Sequence, residues 1–201
     1  MIEVKTKKKL GNFLLDVYLK DENFICLTGK NGSGKTSFLN LLAGVYKPDE
    51  GYVKIDSKNI TDIPMEERRV ILVTPDSCIP HLDVDKHLIW GAKIRKANVP
   101  EEVLQNVKKS FGINYSGKVS KLSLGMRERV SLATALLSSP DLILVDEAFS
   151  NLDNRTDFIR EYKDFSLSEG IDVIFATQQS EDSSQIDHLY RMENGHCERV
   201  F

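Results

Sequence analysis

Apolar and polar residues alternate over Ile2 to Lys7 and again over Asn12 to Leu19, where Phe13, Leu15, Val17 and Leu19 share one side. A period of two predicts two half-exposed strands, antiparallel to each other. Phe24 to Thr28 is a short apolar run and predicts a buried strand. Beyond the next turn, Phe38, Leu39, Leu41, Leu42 and Val45 recur at helical spacing, and Gly44 and Pro48 predict the end of that helix. Glu50-Gly51 predicts a turn into a strand over Tyr52 to Ile55. Val70 to Val73 predicts another buried strand. From Asp83 to about Ala135 the pattern is helical, with breaks near Asn98-Val99-Pro100 and Gly112 to Gly117. Strand patterning returns at Leu142 to Val145 and at Asp172 to Ala176. A helix over Arg155 to Glu169, stopped by Gly170, separates them. Two short strands, around His188 to Met192 and His196 to Val200, flank a turn at Asn194-Gly195.

Buried strands alternating with helices predict an α/β fold with a mostly parallel sheet. The long helical stretch reads as a lobe inserted between strands. No repeat, low-complexity tract or long linker interrupts this pattern.

Composition narrows the classes. Lysine and arginine total 27 against 30 acids, a formal charge of −3. That balance argues against a protein whose main work is neutralising nucleic-acid phosphates. No uninterrupted apolar run exceeds four residues, whereas a spanning helix needs about 20. Membrane work is therefore expected only through a partner. Lys7, Lys8 and Lys9 are not followed by an apolar stretch of signal-peptide length, so no secretory signal is expected. Cys26, Cys78 and Cys197 are scattered, odd in number and without a CxxC pair. A disulfide framework or zinc site is not expected, and a reducing cytosol fits.

Candidate chemistry concentrates in two places. Gly29-Lys30-Asn31-Gly32-Ser33-Gly34-Lys35-Thr36 matches G-x-x-x-x-G-K-[ST] between a strand and a helix. Its glycines let backbone N–H groups turn inward as a nest for phosphate oxygens, and Ser37 continues the helix start aimed at them. Lys35 supplies charge to the β- and γ-phosphates, and the Thr36 hydroxyl can ligate Mg²⁺. Leu142-Ile143-Leu144-Val145-Asp146-Glu147 is a buried strand ending in two carboxylates. With the phosphate loop present, Asp146 is expected to hold Mg²⁺ through its water shell, and Glu147 to polarise the attacking water.

Between them lies Lys121-Leu122-Ser123-Leu124-Gly125-Met126-Arg127-Glu128-Arg129-Val130. This resembles the signature motif of ATP-binding-cassette (ABC) ATPases, L-S-G-G-Q followed by a basic helix. Ser123 precedes Asp146 by 23 residues, and Ser150-Asn151-Leu152-Asp153 looks like that family's D-loop. The resemblance extends over nearly the whole chain and is closest in flavour to the ATPases of molybdate- or tungstate-type oxyanion importers. It implies one P-loop ATPase domain over 1–201: a core from 1–76 and 136–201 with an N-terminal antiparallel β subdomain, and a helical signature lobe over 77–135. It also implies a head-to-tail dimer, homomeric or heteromeric, sandwiching two ATP molecules. In that arrangement the signature residues Ser123, Leu124, Gly125 and Met126 meet the partner chain's ATP, and Asp153 belongs to the D-loop. Phe13 falls where the family stacks an aromatic on adenine; as a strand residue it reads equally as core. Leu122 to Gly125 also reads as a plain helix N-cap, with Arg127, Glu128 and Arg129 as surface charge.

Three departures bear on activity. Leu124 and Met126 replace the third and fifth signature residues. Gln178, after Phe175-Ala176-Thr177, stands where the family has its switch histidine; it can donate a hydrogen bond but cannot carry positive charge. The family's Mg²⁺-sensing glutamine has no counterpart between Val70 and Trp90, and its position falls on Asp76 by strand register or on Thr74 counting back from Pro80. The expectation is an ATPase, slowed by Gln178, that binds ATP and Mg²⁺. It would power a transmembrane permease from the inner face of the cell membrane, with Pro80 to Lys86 near the contact. The alternative is a catalytically weak regulatory ABC subunit paired with a second ABC ATPase.

Overall fold

The structure, a computed structural model, describes residues 1–178, 186 and 188–201. Ten strands, β1 (Ile2–Leu10), β2 (Phe13–Asp21), β3 (Phe24–Thr28), β4 (Glu50–Ile55), β5 (Lys58–Asn59), β6 (Val70–Val73), β7 (Leu142–Asp146), β8 (Asp172–Thr177), β9 (His188–Glu193) and β10 (His196–Arg199), form one sheet. Their order across it is β5-β4-β1-β2-β10-β9-β3-β8-β7-β6. The helices are α1 (Lys35–Ala43), α2 (Val84–Leu88), α3 (Trp90–Ile94), α4 (Glu101–Ser110), α5 (Leu124–Leu137) and α6 (Arg155–Ser168).

The expected parallel core is β9-β3-β8-β7-β6, and its pairs are all parallel. The expected antiparallel arm is β5-β4-β1-β2. The two are not separate sheets. The hairpin β9–β10 turns at Asn194-Gly195, both at positive φ, 47° and 82°, which suits a two-residue turn of the I′ kind. It carries β10 to β2, where His196 pairs with Asp16 in a parallel bridge. Gly195 O accepts from the Asp16 N–H at 2.9 Å.

The central core strands β3, β7 and β8 are buried on both sides, as parallel strands covered by helices are. On β3, β7 and β8, Phe24, Cys26, Ile143, Val145, Val173 and Phe175 enter one apolar cluster with α5, α6 and the lobe. Their neighbours Ile25, Leu27, Leu142, Leu144, Ile174 and Ala176 enter another, with α1 and the arm. The first cluster runs without interruption from Phe24 and Phe175 to Val84, Leu88, Val107 and Phe111, so lobe and sheet share one core.

The lobe is more broken than its sequence pattern. Its first stretch is two single-turn helices, α2 and α3, ended near Lys96 at a φ of 55°. α5 then runs from the lobe under the sheet. Arg68, unremarked in the sequence pattern, closes the far end of α1. It is buried and donates to Leu42 O at 2.8 Å, Thr61 O at 3.0 Å and Ile63 O at 2.8 Å.

Candidate functional site

The phosphate loop leaves β3 and returns as α1. Gly32 and Gly34 hold φ of 77° and 109°, a region that a side chain strongly disfavours. Gly34 is crowded as well. A Cβ there would stand 2.9 Å from the Phe13 ring. α1 therefore starts with no side-chain cap at Gly34, and its first N–H groups are left for another acceptor. From the other side, Gly195 donates its N–H to Ser33 O at 2.9 Å, so the β9–β10 turn braces the loop.

Lys35 is buried, with 5% of its surface exposed. Its ammonium folds back onto the loop and donates to Gly29 O at 2.7 Å and Lys30 O at 3.2 Å. Burial pulls its pKa below the usual lysine value, against the attraction of Glu147 and Asp146. Asp146, at the end of β7, is pushed the other way, up from the usual carboxylate range. Burial is the main cause and Glu147 adds to it, while a hydrogen bond with Thr36 and the charge of Lys35 oppose it. Glu147 follows at a φ of 58° and donates its N–H to Ala176 O at 3.2 Å. Gln178, just past β8, donates from Nε2 to Glu147 Oε1 at 2.6 Å.

Lys35 and Glu147 meet at a cleft of about 250 Å³ that Leu10, Phe13, Asn31, Gly32, Gly34, Thr36 and Ser37 also line, while Gln178 lines a neighbouring pocket with Gly29 and Met192. Phe13 has two faces in the fold. It packs on the apolar cluster around α1 and also faces the cleft. Asp76 is not among the lining residues. It sits in a tight turn where Ser77 N–H donates to Thr74 O at 3.0 Å and Cys78 N–H to Asp76 O at 2.8 Å.

The signature residues do not line the cleft either. Ser123 caps α5, its Oγ accepting from the Met126 N–H at 3.3 Å. Leu124 is exposed. The half-buried Tyr115, whose pKa burial raises to about 12, donates to Met126 O at 3.0 Å.

The surface-charge reading of Arg127, Glu128 and Arg129 needs correction. Glu128 is 1% exposed and the Nε of Arg127 is buried, because the D-loop folds over this face of α5. A Cβ on Gly125 would lie 2.7 Å from Asn151 O, so the glycine is needed here within its own chain. Asn151 Nδ2 donates to Glu128 Oε1 at 2.8 Å. Arg129 donates to Phe111 O at 3.0 Å and to Asp153 O at 2.6 Å. Glu128 and Arg129 stand three and four residues past Gly125, which places all three on one helix face. That spacing was the available signal for them. The D-loop resemblance included Asn151 but not its contact with Glu128, and nothing in the sequence singled out Tyr115.

Residues 14–150 match the ABC transporter family. The spermidine/putrescine import ATP-binding protein PotA of Bacillus anthracis is 31% identical over 207 residues, covering 96% of this chain and 63% of that protein. The molybdate/tungstate import ATP-binding protein WtpC of Archaeoglobus fulgidus is 35% identical over 159 residues, covering 77% of this chain and 66% of that protein. The chain thus spans about 63% of the length of the PotA relatives it matches. Among solved structures, an ATP-binding subunit of an ABC transporter superposes with a TM-score of 0.81 at 21% identity, over 100% of this chain and 90% of that one. A dimeric ATP-binding cassette in a post-hydrolysis state with ADP and Pi superposes with a TM-score of 0.79 at 23% identity, over 100% and 99%. The oxyanion-importer flavour of the sequence has its counterpart in WtpC, but the polyamine-import relatives match over more of the chain.

Proposed function

Because the chain belongs to the ABC transporter family, we propose that it binds and hydrolyses MgATP as the motor subunit of an importer. The observation that carries this is the convergence of Lys35, Thr36 and Glu147 on one cleft, with Asp146 hydrogen-bonded to Thr36 behind it. Triphosphate oxygens take the N–H groups of Gly32 to Thr36 at the uncapped start of α1. Lys35 gives up the carbonyls of Gly29 and Lys30 and turns its ammonium to the β- and γ-phosphates. Phe13, at the cleft wall, is the surface for the adenine.

The residues present fit Mg²⁺. The Thr36 hydroxyl and the Asp146 carboxylate are hard oxygen donors already in contact. When bound, the ion supplies charge neutralisation between phosphate oxygens. Asp76 is a further candidate donor from its turn. Glu147 is the base that takes a proton from the attacking water. Gln178 holds one oxygen of Glu147 and leaves the other for that water. A neutral amide stabilises developing charge less than an imidazolium, so slow turnover is expected.

The signature residues Ser123, Leu124, Gly125 and Met126, absent from the cleft, are assigned to the ATP of a second cassette, with Asp153 beside them. Dimer closure on ATP, a permease seated near Pro80 to Lys86, and residence at the inner membrane face complete the reading. No described helix is long and apolar enough to cross a membrane.

The test is phosphate release by the purified chain with MgATP, alone and with its permease. Glu147→Gln is expected to cut turnover by at least ~100-fold while nucleotide still binds. Undiminished turnover in that variant would remove Glu147 from the role of base.

A further inference from the structure

We propose that Glu128 is a positioning residue that locks the D-loop onto the signature helix, so that Ser123 and Asp153 of one chain move as a single body during ATP turnover. The proposal rests on the ATPase reading above and goes beyond it. α5 grips the D-loop at three successive points on one face. Gly125 meets Asn151 O, with no room for a Cβ. The backbone and side-chain amides of Asn151 both hydrogen-bond the Glu128 carboxylate. Arg129 holds Asp153 O at 2.6 Å while its guanidinium lies over the Phe158 ring, 4.9 Å from its centre. Ser123 caps the same helix less than two turns before Glu128, so a displacement of α5 is passed to Asp153 through these contacts.

Glu128 is an unusual choice for a merely structural bond. It is almost fully buried, and its Oε2 has no hydrogen-bond partner. Arg127 is the cation that offsets its charge. Burying a carboxylate with one oxygen unpaired works against stability. A glutamine in its place keeps an oxygen for Asn151 and carries no buried charge. What the carboxylate adds is strength, since hydrogen bonds to a charged acceptor are about twice as strong as neutral ones. The chain accepts a less stable helix interior in return for a tighter D-loop tie.

That trade-off gives a readout that separates positioning from folding. Glu128→Gln is expected to keep or raise the melting temperature while lowering kcat about threefold. Glu128→Ala and Asn151→Ala are each expected to lower kcat about tenfold. The KM for ATP should stay within about twofold, because the cleft is lined by other residues. The double variant should be no slower than either single one, since one tie is cut in all three. Wild-type kcat in Glu128→Gln and Glu128→Ala, multiplicative losses in the double variant, or kcat losses that follow melting temperature would each overturn the proposal. Absence of turnover in the wild-type chain would instead sink the ATPase reading. In that case hydrogen exchange decides. Faster exchange at the amides of Asn151 to Asp153 in Glu128→Ala supports the tie, and unchanged exchange overturns it.

Discussion

Two helix starts in this chain are assigned to phosphate in the proposed reading, and they are built oppositely. α1 begins at Gly34 with no side-chain cap, its loop twisted by Gly32 and Gly34 and braced by the β9–β10 turn. α5 begins at Ser123, which satisfies the Met126 N–H with its own hydroxyl, and Leu124 stands exposed beside it. The first is an open anion seat enclosed by its own chain. The second is a closed helix end facing outward, whose 3.3 Å cap is long and easily exchanged for another acceptor. The uncapped end is positive, and the buried Lys35 ammonium adds a second positive charge beside it, so both favour an anion there. At the capped end no such charge faces outward from Arg129, which is turned to Phe111 O and the D-loop, and the Nε of Arg127 is buried. On the proposed reading, one chain therefore holds one complete seat and one half of another.

The largest effect should come from breaking the complete seat. Lys35→Ala removes the only lysine lining the cleft among the described residues. Nucleotide affinity is expected to fall at least ~100-fold, since a buried charge-assisted contact is lost. Equilibrium titration with a fluorescent ATP analogue measures it. The fold should survive, because the ammonium's present partners are two loop carbonyls. Near-normal affinity would mean the cleft is not where triphosphate binds.

Gly125→Ala attacks the other start. The added methyl would meet Asn151 O at 2.7 Å, and the D-loop must move. Turnover is expected to fall about tenfold, with nucleotide affinity at the P-loop unchanged. Steady-state kinetics beside a binding titration separates the two. If affinity fell with turnover, the two helix starts would not be independent as argued.

Much of this contrast was legible in the sequence, for physical reasons. The P-loop could be read because its glycines, lysine and threonine are required by contacts within a few residues of each other. β3, β7 and β8 could be read because strands buried on both sides need unbroken apolar runs. Ser123 could be read as a cap and as a signature residue, and it is a cap here. The lobe was less legible. α2 and α3 share one continuous helical pattern, and only Ile89 at a φ of −95° separates them. Glu128 reads as surface charge because its burial depends on Asn151, 23 residues away. Arg68 likewise depends on carbonyls of α1 more than 25 residues back. Asp76 stayed ambiguous with Thr74 because register in a loop has no period to count.

Mild acid offers the smallest and most selective way to sharpen the comparison. The P-loop seat holds Lys35, whose pKa burial lowers. The lobe holds a different kind of group. His87 on α2 is buried, and its Nε2 accepts the Ile79 N–H at 3.1 Å. That nitrogen must carry no proton, so Nδ1 carries it toward Thr134 Oγ1 at 2.9 Å. Thr134 in turn donates to Val130 O at 2.7 Å on α5. Burial lowers the His87 pKa below 6.5. Between that lowered value and 6.5 the unfolded chain binds a proton that the folded chain refuses, so stability falls as pH drops through 6.5 and the loss levels off below the folded value. The acids that burial raises, Asp146, Glu128 and Asp172, act with the opposite sign, so the histidine must be isolated by difference. Glutamine supplies both an acceptor and a donor without titrating. The melting temperature of wild type minus that of His87→Gln is therefore expected to fall by about 2 °C between pH 7.5 and pH 5.5. A pH-independent difference would show that the tie between Ile79 and α5 does not need a neutral imidazole. A falling one would place an acid-sensitive joint in the lobe, between α2 and α5.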